Sequence, residues 1–218
     1  KIMRFKNQNQ NPIKSQLVLD EHFTDNRNNW EVIDEPDEKS VVTGEGFYIE
    51  NITEHIWNYY KIPTTLCATD SFLFDATFQV IKKKRGLYSR FGLLWGFSNE
   101  PKILNSFTAD STTNRFCVET IIRRKAIFNQ IDQGNIQPLS NPNVFRMVIL
   151  KIDKRYYFFV NNIYIPVCRQ HPIHHWYGNN FGIYIEPMVV LLVKHFSIKK
   201  MTIPSANTES FDKIIEEY

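Results

Sequence analysis

The apolar runs of this chain are short, rich in branched and aromatic residues, and cut by turn signals at close intervals. That rhythm belongs to strands, because a helix would repeat its apolar face every three to four residues over ten or more positions. Alternation is clearest in "RFGLLWGF", where Phe91, Leu93, Trp95 and Phe97 share one face while Gly92, Leu94 and Gly96 share the other. In "DATFQVIKK", Ala76, Phe78 and Val80 oppose Asp75, Thr77, Gln79 and Ile81, so one face packs and the other meets water. The pattern predicts fourteen strands, at 16–21, 40–43, 46–51, 56–61, 72–82, 89–96, 105–109, 115–122, 125–130, 144–152, 156–160, 163–167, 181–185 and 189–201. Strands of that number and length suit two stacked sheets.

Three hairpins can be named. "YYFFVNNIYIPV" turns at Asn161 and Asn162, residues that tolerate the positive φ of a tight two-residue turn. "VVTGEGFYIEN" turns at Gly44 to Gly46, and "VILKIDKRYYFFV" turns around Asp153 and Lys154. Successive hairpins imply antiparallel pairing, since parallel strands need crossovers of a dozen or more residues and no helical crossover pattern lies between these runs. The fold class is therefore all-β, an antiparallel sandwich. The glycines on one face of "RFGLLWGF" mark a bulge, a bend, or close approach by a ligand or another backbone.

A chain of 218 residues fits one sandwich domain. Residues 1–15 mix Asn, Gln and Lys and read as a flexible arm, 16–203 as the sandwich, and 204–218 as a tail with the caps of a short helix. The polar stretch "EHFTDNRNNWEV" leaves the first strand at Phe23, turns through Asp25 to Asn29 with their side chains capping backbone groups, and plants Trp30 against the sandwich.

Net charge is +3, too small to indicate nucleic acid as a partner, and the longest aliphatic run, "VVLLV", is far too short to cross a bilayer. Neither nucleic acid nor a membrane is expected, and no cofactor motif is present. Cys67, Cys117 and Cys168 are odd in number and dispersed, which reads as reduced thiols and leans toward the cytoplasm; no signal peptide is visible. A chain that begins with Lys reads as a piece of a longer protein, so a removed signal stays possible. Oligomeric state is not set by the sequence.

The succession "FTDNRNNWEV", "GEGFYIEN", "FLFDATFQV", "FGLLWGF", "NRFCVETI", "FRMVILKIDKRYYFFVNNIYI", "FGIYIEP" and "VKHFSIKKM" resembles the concanavalin A-like, laminin G-like β-sandwich domains of many bacterial proteins. It is also similar to the domain of 3-keto-disaccharide hydrolase-type proteins. The resemblance spans about residues 16–201 and implies a jelly-roll sandwich. It implies function only broadly, because this architecture hosts lectins, carbohydrate-binding modules, protein-binding domains and glycosidases.

A sandwich glycosidase would carry two or three carboxylates alternating on one strand, roughly 5 to 5.5 Å apart in retaining enzymes. No such motif occurs: "EPDE" at 35–38 reads as a solvated turn, and Glu50, Glu119 and Glu186 each sit alone in a strand, so a catalytic pair would have to meet across strands. "CRQHPIHHWY" gathers Cys168, His171, His174 and His175, all competent metal ligands, but the second Cys pair of a structural zinc site is missing. The plainer reading is a loop that packs on the sandwich or lines a ligand site. The basic knots "KKKR" and "RRK" read first as charged hairpin tips. "NIT" at 51–53 fits a glycosylation sequon.

Aromatic rings can stack on the apolar face of a pyranose, though core packing is the ordinary fate of any one of them. Trp95 alternates with Phe91 and Leu93 and reads as core; Trp57 and Tyr59 are the better binding candidates. The ligand-binding candidates are Trp57, Tyr59, Glu119, His174, His175 and Trp176, with no catalytic set and only weak metal candidates. Three functions remain open: a non-catalytic module that recognises carbohydrate or a protein partner, a glycoside-processing hydrolase of the 3-keto-disaccharide type, and a structural or assembly domain. The absent catalytic motif leans away from an enzyme.

Overall fold

The computed structural model describes residues 14–53, 57–83, 89–98, 103–122, 127–136, 141–166 and 176–202. Every regular element among them is a strand: β1 (Lys14–Glu21), β2 (Ile33–Glu35), β3 (Glu38–Val42), β4 (Phe47–Asn51), β5 (Asn58–Pro63), β6 (Ser71–Lys83), β7 (Arg90–Phe97), β8 (Ile103–Asp110), β9 (Arg115–Ile122), β10 (Ile127–Asn135), β11 (Val144–Ile152), β12 (Arg155–Val160), β13 (Ile163–Ile165), β14 (Asn180–Ile185) and β15 (Val189–Thr202). They form two antiparallel sheets. The larger has nine strands in the order β13-β12-β11-β6-β15-β4-β3-β2, with β1 also on β15; the smaller has six, in the order β10-β9-β8-β7-β14-β5.

Inward residues of both sheets interdigitate as a core crowded with rings. Phe47, Phe72, Phe74, Phe78, Phe145 and Phe196 come from the larger sheet and Tyr60, Phe91, Trp95, Phe107 and Phe181 from the smaller. Many meet edge to face, as Phe74 does with Phe181 at 5.2 Å and 74°, the arrangement that ring quadrupoles favour. Each buried Phe removes enough apolar surface from water to contribute roughly 1.5–3 kcal/mol. Alternation in β6 holds for Ala76, Phe78 and Val80, which are buried, and for Ile81, which faces water, but Asp75 on the outer face is buried as well.

The turns obey the residues in them. Asn161 and Asn162 take φ of 50° and 67° between β12 and β13, Asp153 takes 53° between β11 and β12, and Gly44 takes 77° between β3 and β4. After β1, Phe23 and Trp30 are buried, and Asn26 ties the turn between them, accepting from Trp30 N at 2.8 Å and donating to Trp30 O at 3.0 Å. "EPDE" is the β2–β3 turn, with Glu35 opposite Glu38. Asn51 of the sequon is buried and accepts from Thr53 Oγ1 at 2.6 Å, so it serves the fold.

Four further expectations change. Phe97 does not share a face with Phe91, Leu93 and Trp95: Gly96, at φ 65°, sits in a bulge where Trp95 pairs Phe181 but Phe97 pairs Asn180, and this turns Phe97 to the outer face. β2 was hidden because three edge residues, Ile33 to Glu35, carry no apolar pattern. β10 runs on to Asn135 through the polar "IDQGN", which an edge strand tolerates, with a bulge between Gln130 and Asp132. β1 also takes in Lys14 and Ser15, which read as arm. The rest of the arm, the "RRK" knot, positions 84 and 85 of "KKKR" and the tail from 203 lie outside the described residues.

Candidate functional site

A strand buried on its inner face by the core should present polar, wet residues outward. The smaller sheet does otherwise. Leu94, Phe97, Leu104, Ile121 and Tyr184 form a buried cluster on its outer face, with Trp57 and Tyr59 packed against it; Val148, Leu150, Ile152, Tyr157 and Phe159 form another on the outer face of the larger sheet. Ser106, Thr108, Cys117 and Glu119 on the outer face of the smaller sheet are buried as well.

Into this apolar surround the register brings three charged side chains from three elements. Arg90 opens β7, Glu119 lies in the middle of β9 opposite Ser106, and Glu186 follows β14 directly. Glu186 N donates to Arg90 O at 2.9 Å, which fixes the two backbones side by side. Arg90 Nε then donates to Glu186 Oε1 at 2.7 Å and Arg90 Nη1 to Glu119 Oε1 at 3.1 Å, so one guanidinium holds two carboxylates from different strands. Tyr184 Oη donates to Glu186 Oε1 at 3.2 Å, Ser106 Oγ to Glu119 Oε1 at 3.4 Å, and Cys117 Sγ to Glu119 Oε2 at 3.7 Å. Between Arg90 and Leu94 the strand carries Gly92, whose backbone lies so close to β8 that a Cβ would sit 2.1 Å from the Phe107 carbonyl oxygen. The bareness of that face therefore reflects backbone approach.

Two carboxylates on one guanidinium leave a net negative charge in a place poor in water. Burial pushes the Glu119 carboxyl up, the charge of Arg90 pulls it back, and it stays above the ordinary range. Burial disfavours the charged guanidinium, but Glu119 and Glu186 outweigh this and hold Arg90 firmly protonated. Burial first, and then Glu119, push the Cys117 thiol up to about 12, which makes it a poor nucleophile. The Tyr184 phenol is raised by burial and by Glu186, so it remains a donor. Only Arg90 retains appreciable access, its side chain 22% exposed against 2% for Glu119.

Trp57, immediately before β5, and Tyr59 within it extend the same surface. Trp57 stands 5.5 Å from Tyr184 and 6.3 Å from Tyr59, ring centre to ring centre, and Tyr59 meets Phe97 edge-on at 6.1 Å. The contacts run from Trp57 to Tyr184, Glu186, Arg90 and Glu119 without a break. Both rings are half-buried and pack against the cluster.

Of the residues singled out from sequence, Trp57, Tyr59 and Glu119 thus share one face. Glu50 lies on the larger sheet, where its carboxylate accepts from Tyr48 Oη at 2.9 Å. Trp176 packs at the rim of the core, 6.1 Å from Phe72 and 5.9 Å from Phe181, rather than on the outer cluster. Cys168, His171, His174 and His175 lie outside the described residues. Arg90 and Tyr184 were not singled out, and Glu186 only as an isolated carboxylate; their one signal was an ionisable residue at the end of an otherwise apolar strand. A separate cleft of about 300 Å³ lies at the opposite edge, between β10 and β13, lined by Asp132, Gln133, Asn135 and Tyr164. Among the described residues, metal-ligating side chains gather at Asp20, His22 and His195, on the larger sheet.

Two antiparallel sheets in this order, with an elaborated outer face on the smaller, define a concanavalin A-like, galectin-like jelly-roll sandwich. No family model matches the chain, and no curated protein matches it in sequence. Solved structures match over most of the chain. A Bacillus subtilis protein of unknown function with a galectin-like fold is 11% identical, with a TM-score of 0.62 over 88% of this chain and all of that one (100%). The carbohydrate-binding module CBM66 from Bacillus subtilis is 10% identical, with a TM-score of 0.55 over 78% of this chain and 94% of that one. The laminarinase catalytic domain from Thermotoga maritima is 9% identical, with a TM-score of 0.57 over 87% of this chain and 99% of that one. At such identities the likeness is one of fold.

Proposed function

We propose that the protein is a carbohydrate-recognition module whose binding surface is the outer face of the smaller sheet. The observation that supports this most is the half-buried pair Trp57 and Tyr59, joined through Tyr184 to the buried Arg90, Glu119 and Glu186 network. A sugar ring needs a flat apolar surface for its C–H face and fixed donors and acceptors for its hydroxyls, and this face offers both. The two carboxylates hold the Arg90 guanidinium in a fixed orientation in advance, which lowers the ordering cost of binding. A carbohydrate-binding module among the structural neighbours agrees with this reading. The test is a glycan array with the whole chain beside Trp57→Ala and Tyr59→Ala. A glycan bound by the wild type and weakened at least about tenfold by either change supports the surface, as expected of a central aromatic anchor. No glycan bound, or binding indifferent to both changes, overturns it.

A second reading is a glycoside-processing hydrolase, including the 3-keto-disaccharide type, favoured by the meeting of Glu119 and Glu186 on one face and by the raised Glu119 carboxyl. Arg90 stands against it, because it occupies both carboxylates with one cation and leaves neither open to a leaving oxygen. Release of reducing sugar from oligosaccharides, abolished by both Glu119→Gln and Glu186→Gln, would displace the binding-module reading. The laminin G-like resemblance suits a protein partner on the same surface, which a pull-down blocked by Trp57→Ala would reveal.

A further inference from the structure

On the outer face of the larger sheet three metal-competent side chains converge from the two ends of the sequence. Asp20 lies in β1 opposite Ser197 of β15, and His22, two residues on, faces His195 when the same register is extended. One ligand atom from each of Asp20, His22 and His195 lies within 4.8 Å of the others. His195 Nε2 is 2.9 Å from Asp20 Oδ1, His22 Nε2 is 3.5 Å from Asp20 Oδ2, and the imidazoles stack with centres 4.9 Å apart at 29°.

From this geometry we infer that Asp20, His22 and His195 form a binding site for a divalent transition-metal ion of the zinc class. Two imidazole nitrogens and one carboxylate suit such borderline ions, whereas calcium and magnesium prefer all-oxygen shells. Bonds of about 2.0–2.2 Å in tetrahedral array place ligand atoms about 3.4 Å apart, so a cation enters when His195 and Asp20 open by a fraction of an ångström and the widest pair, now up to 4.8 Å apart, draws together by side-chain rotation. Three protein ligands leave one position for water or an outside ligand.

The backbones that carry the ligands are fixed independently of any ion. Glu21 beside His22 is buried and accepts from Phe23 N at 2.6 Å, and Phe23 is itself in the core. His195 follows the bulge of β15, where Val193 pairs Phe78 and His195 pairs Thr77. With one extra residue in the strand, Lys194, His195 faces outward beside Asp20 while Val193 and Phe196 both stay in the core. A bulge that re-aims one side chain while its neighbours keep their places is a feature of built sites. The ligands are 175 residues apart in the case of Asp20 and His195, so no spacing motif could announce them.

Calorimetric titration of the whole chain with zinc chloride near neutral pH tests the site. The wild type is expected to take up one zinc ion per chain with micromolar affinity and a higher melting temperature. His22→Gln, His195→Gln and Asp20→Asn are each expected to weaken binding at least about tenfold. All three side chains are at the surface, so the variants should keep the β-rich circular dichroism of the wild type. The pair His174→Ala and His175→Ala should bind as the wild type does. Zinc affinity weaker than about millimolar in the wild type overturns the proposal, as does uptake that survives His22→Gln and His195→Gln but is lost with the His174 and His175 changes.

Discussion

Two arginines hold carboxylates on opposite outer faces of the sandwich, and their surroundings differ. Arg146 of the larger sheet donates through Nε to both oxygens of Asp75, at 3.0 and 3.1 Å, and through Nη1 to Asn162, with its side chain 41% exposed. It has one carboxylate, one neutral partner and ready access to water. Arg90 of the smaller sheet holds two carboxylates amid apolar and aromatic side chains. A pair with only its arginine open to water is partly screened, whereas a desolvated network carries a large penalty if any member is removed. The first needs only the neighbouring strands β6 and β11 in register. The second is stable only where the sheet register delivers every partner at once, which is why that face, among the two, is the candidate for recognition.

The comparison breaks most easily at Arg90. Arg90→Leu strands Glu119 and Glu186 and should destabilise the protein by about 3–5 kcal/mol in urea unfolding. Equal effects from Arg90→Leu and Arg146→Leu would show that the two faces do not differ. Gly96→Ala comes next: its φ of 65° and the Trp176 ring 2.9 Å from the added Cβ should cost about 1–3 kcal/mol, read as a lower melting temperature. Arg146→Leu also strands a buried carboxylate, Asp75, but only one and beside water, so it should cost about 1–3 kcal/mol, less than Arg90→Leu. Gly44→Ala, with a φ of 77° but open space around it, should cost less, about 1 kcal/mol.

The smallest effect concerns pH, where two carboxyls should act with opposite sign. Glu119 is raised in the fold, so the native state binds its proton more tightly. That stability is present below the ordinary Glu range, near about 4.3, and is lost as pH rises through the folded value. For Asp70 burial raises the carboxyl, but Lys200 at 2.7 Å and the Cys67 backbone outweigh it, so the value is lowered. Its stability is present above about 3.9 and lost as pH falls. Glu119→Gln should flatten the first slope and Asp70→Asn the second, in melting temperatures followed across acid pH.

The period-two strands, the Asn161–Asn162 turn and the burial of Phe23 and Trp30 were legible because each is written in adjacent residues. Phe97 was misplaced because a bulge at Gly96 shifts the alternation by one, and the glycine that permits it reads equally well as a bend. The site was half legible. Trp57, Tyr59 and Glu119 stand out as aromatic or charged residues in strands, but the network depends on β7, β9 and β14 lying in register, and Arg90 and Glu186 are 96 residues apart. Distance along the chain hides Asp20 and His195 from each other in the same way.

The partners of the last two strands set the order in which this fold can be made. β14 is the strand between β5 and β7, and β15 pairs with β6 and with both β4 and β1. While a ribosome is still short of Asn180, β5 has no link to β7 in the smaller sheet nor β4 to β6 in the larger, and β1 waits for partners at 196–202. Closure therefore follows synthesis as a late, concerted event across long loops, which is slow and leaves strand edges bare meanwhile. A chain halted before β15 would offer β6, its long partner, as an open template for a neighbouring copy, so aggregation of early-terminated products is the signature this topology should leave in a cell.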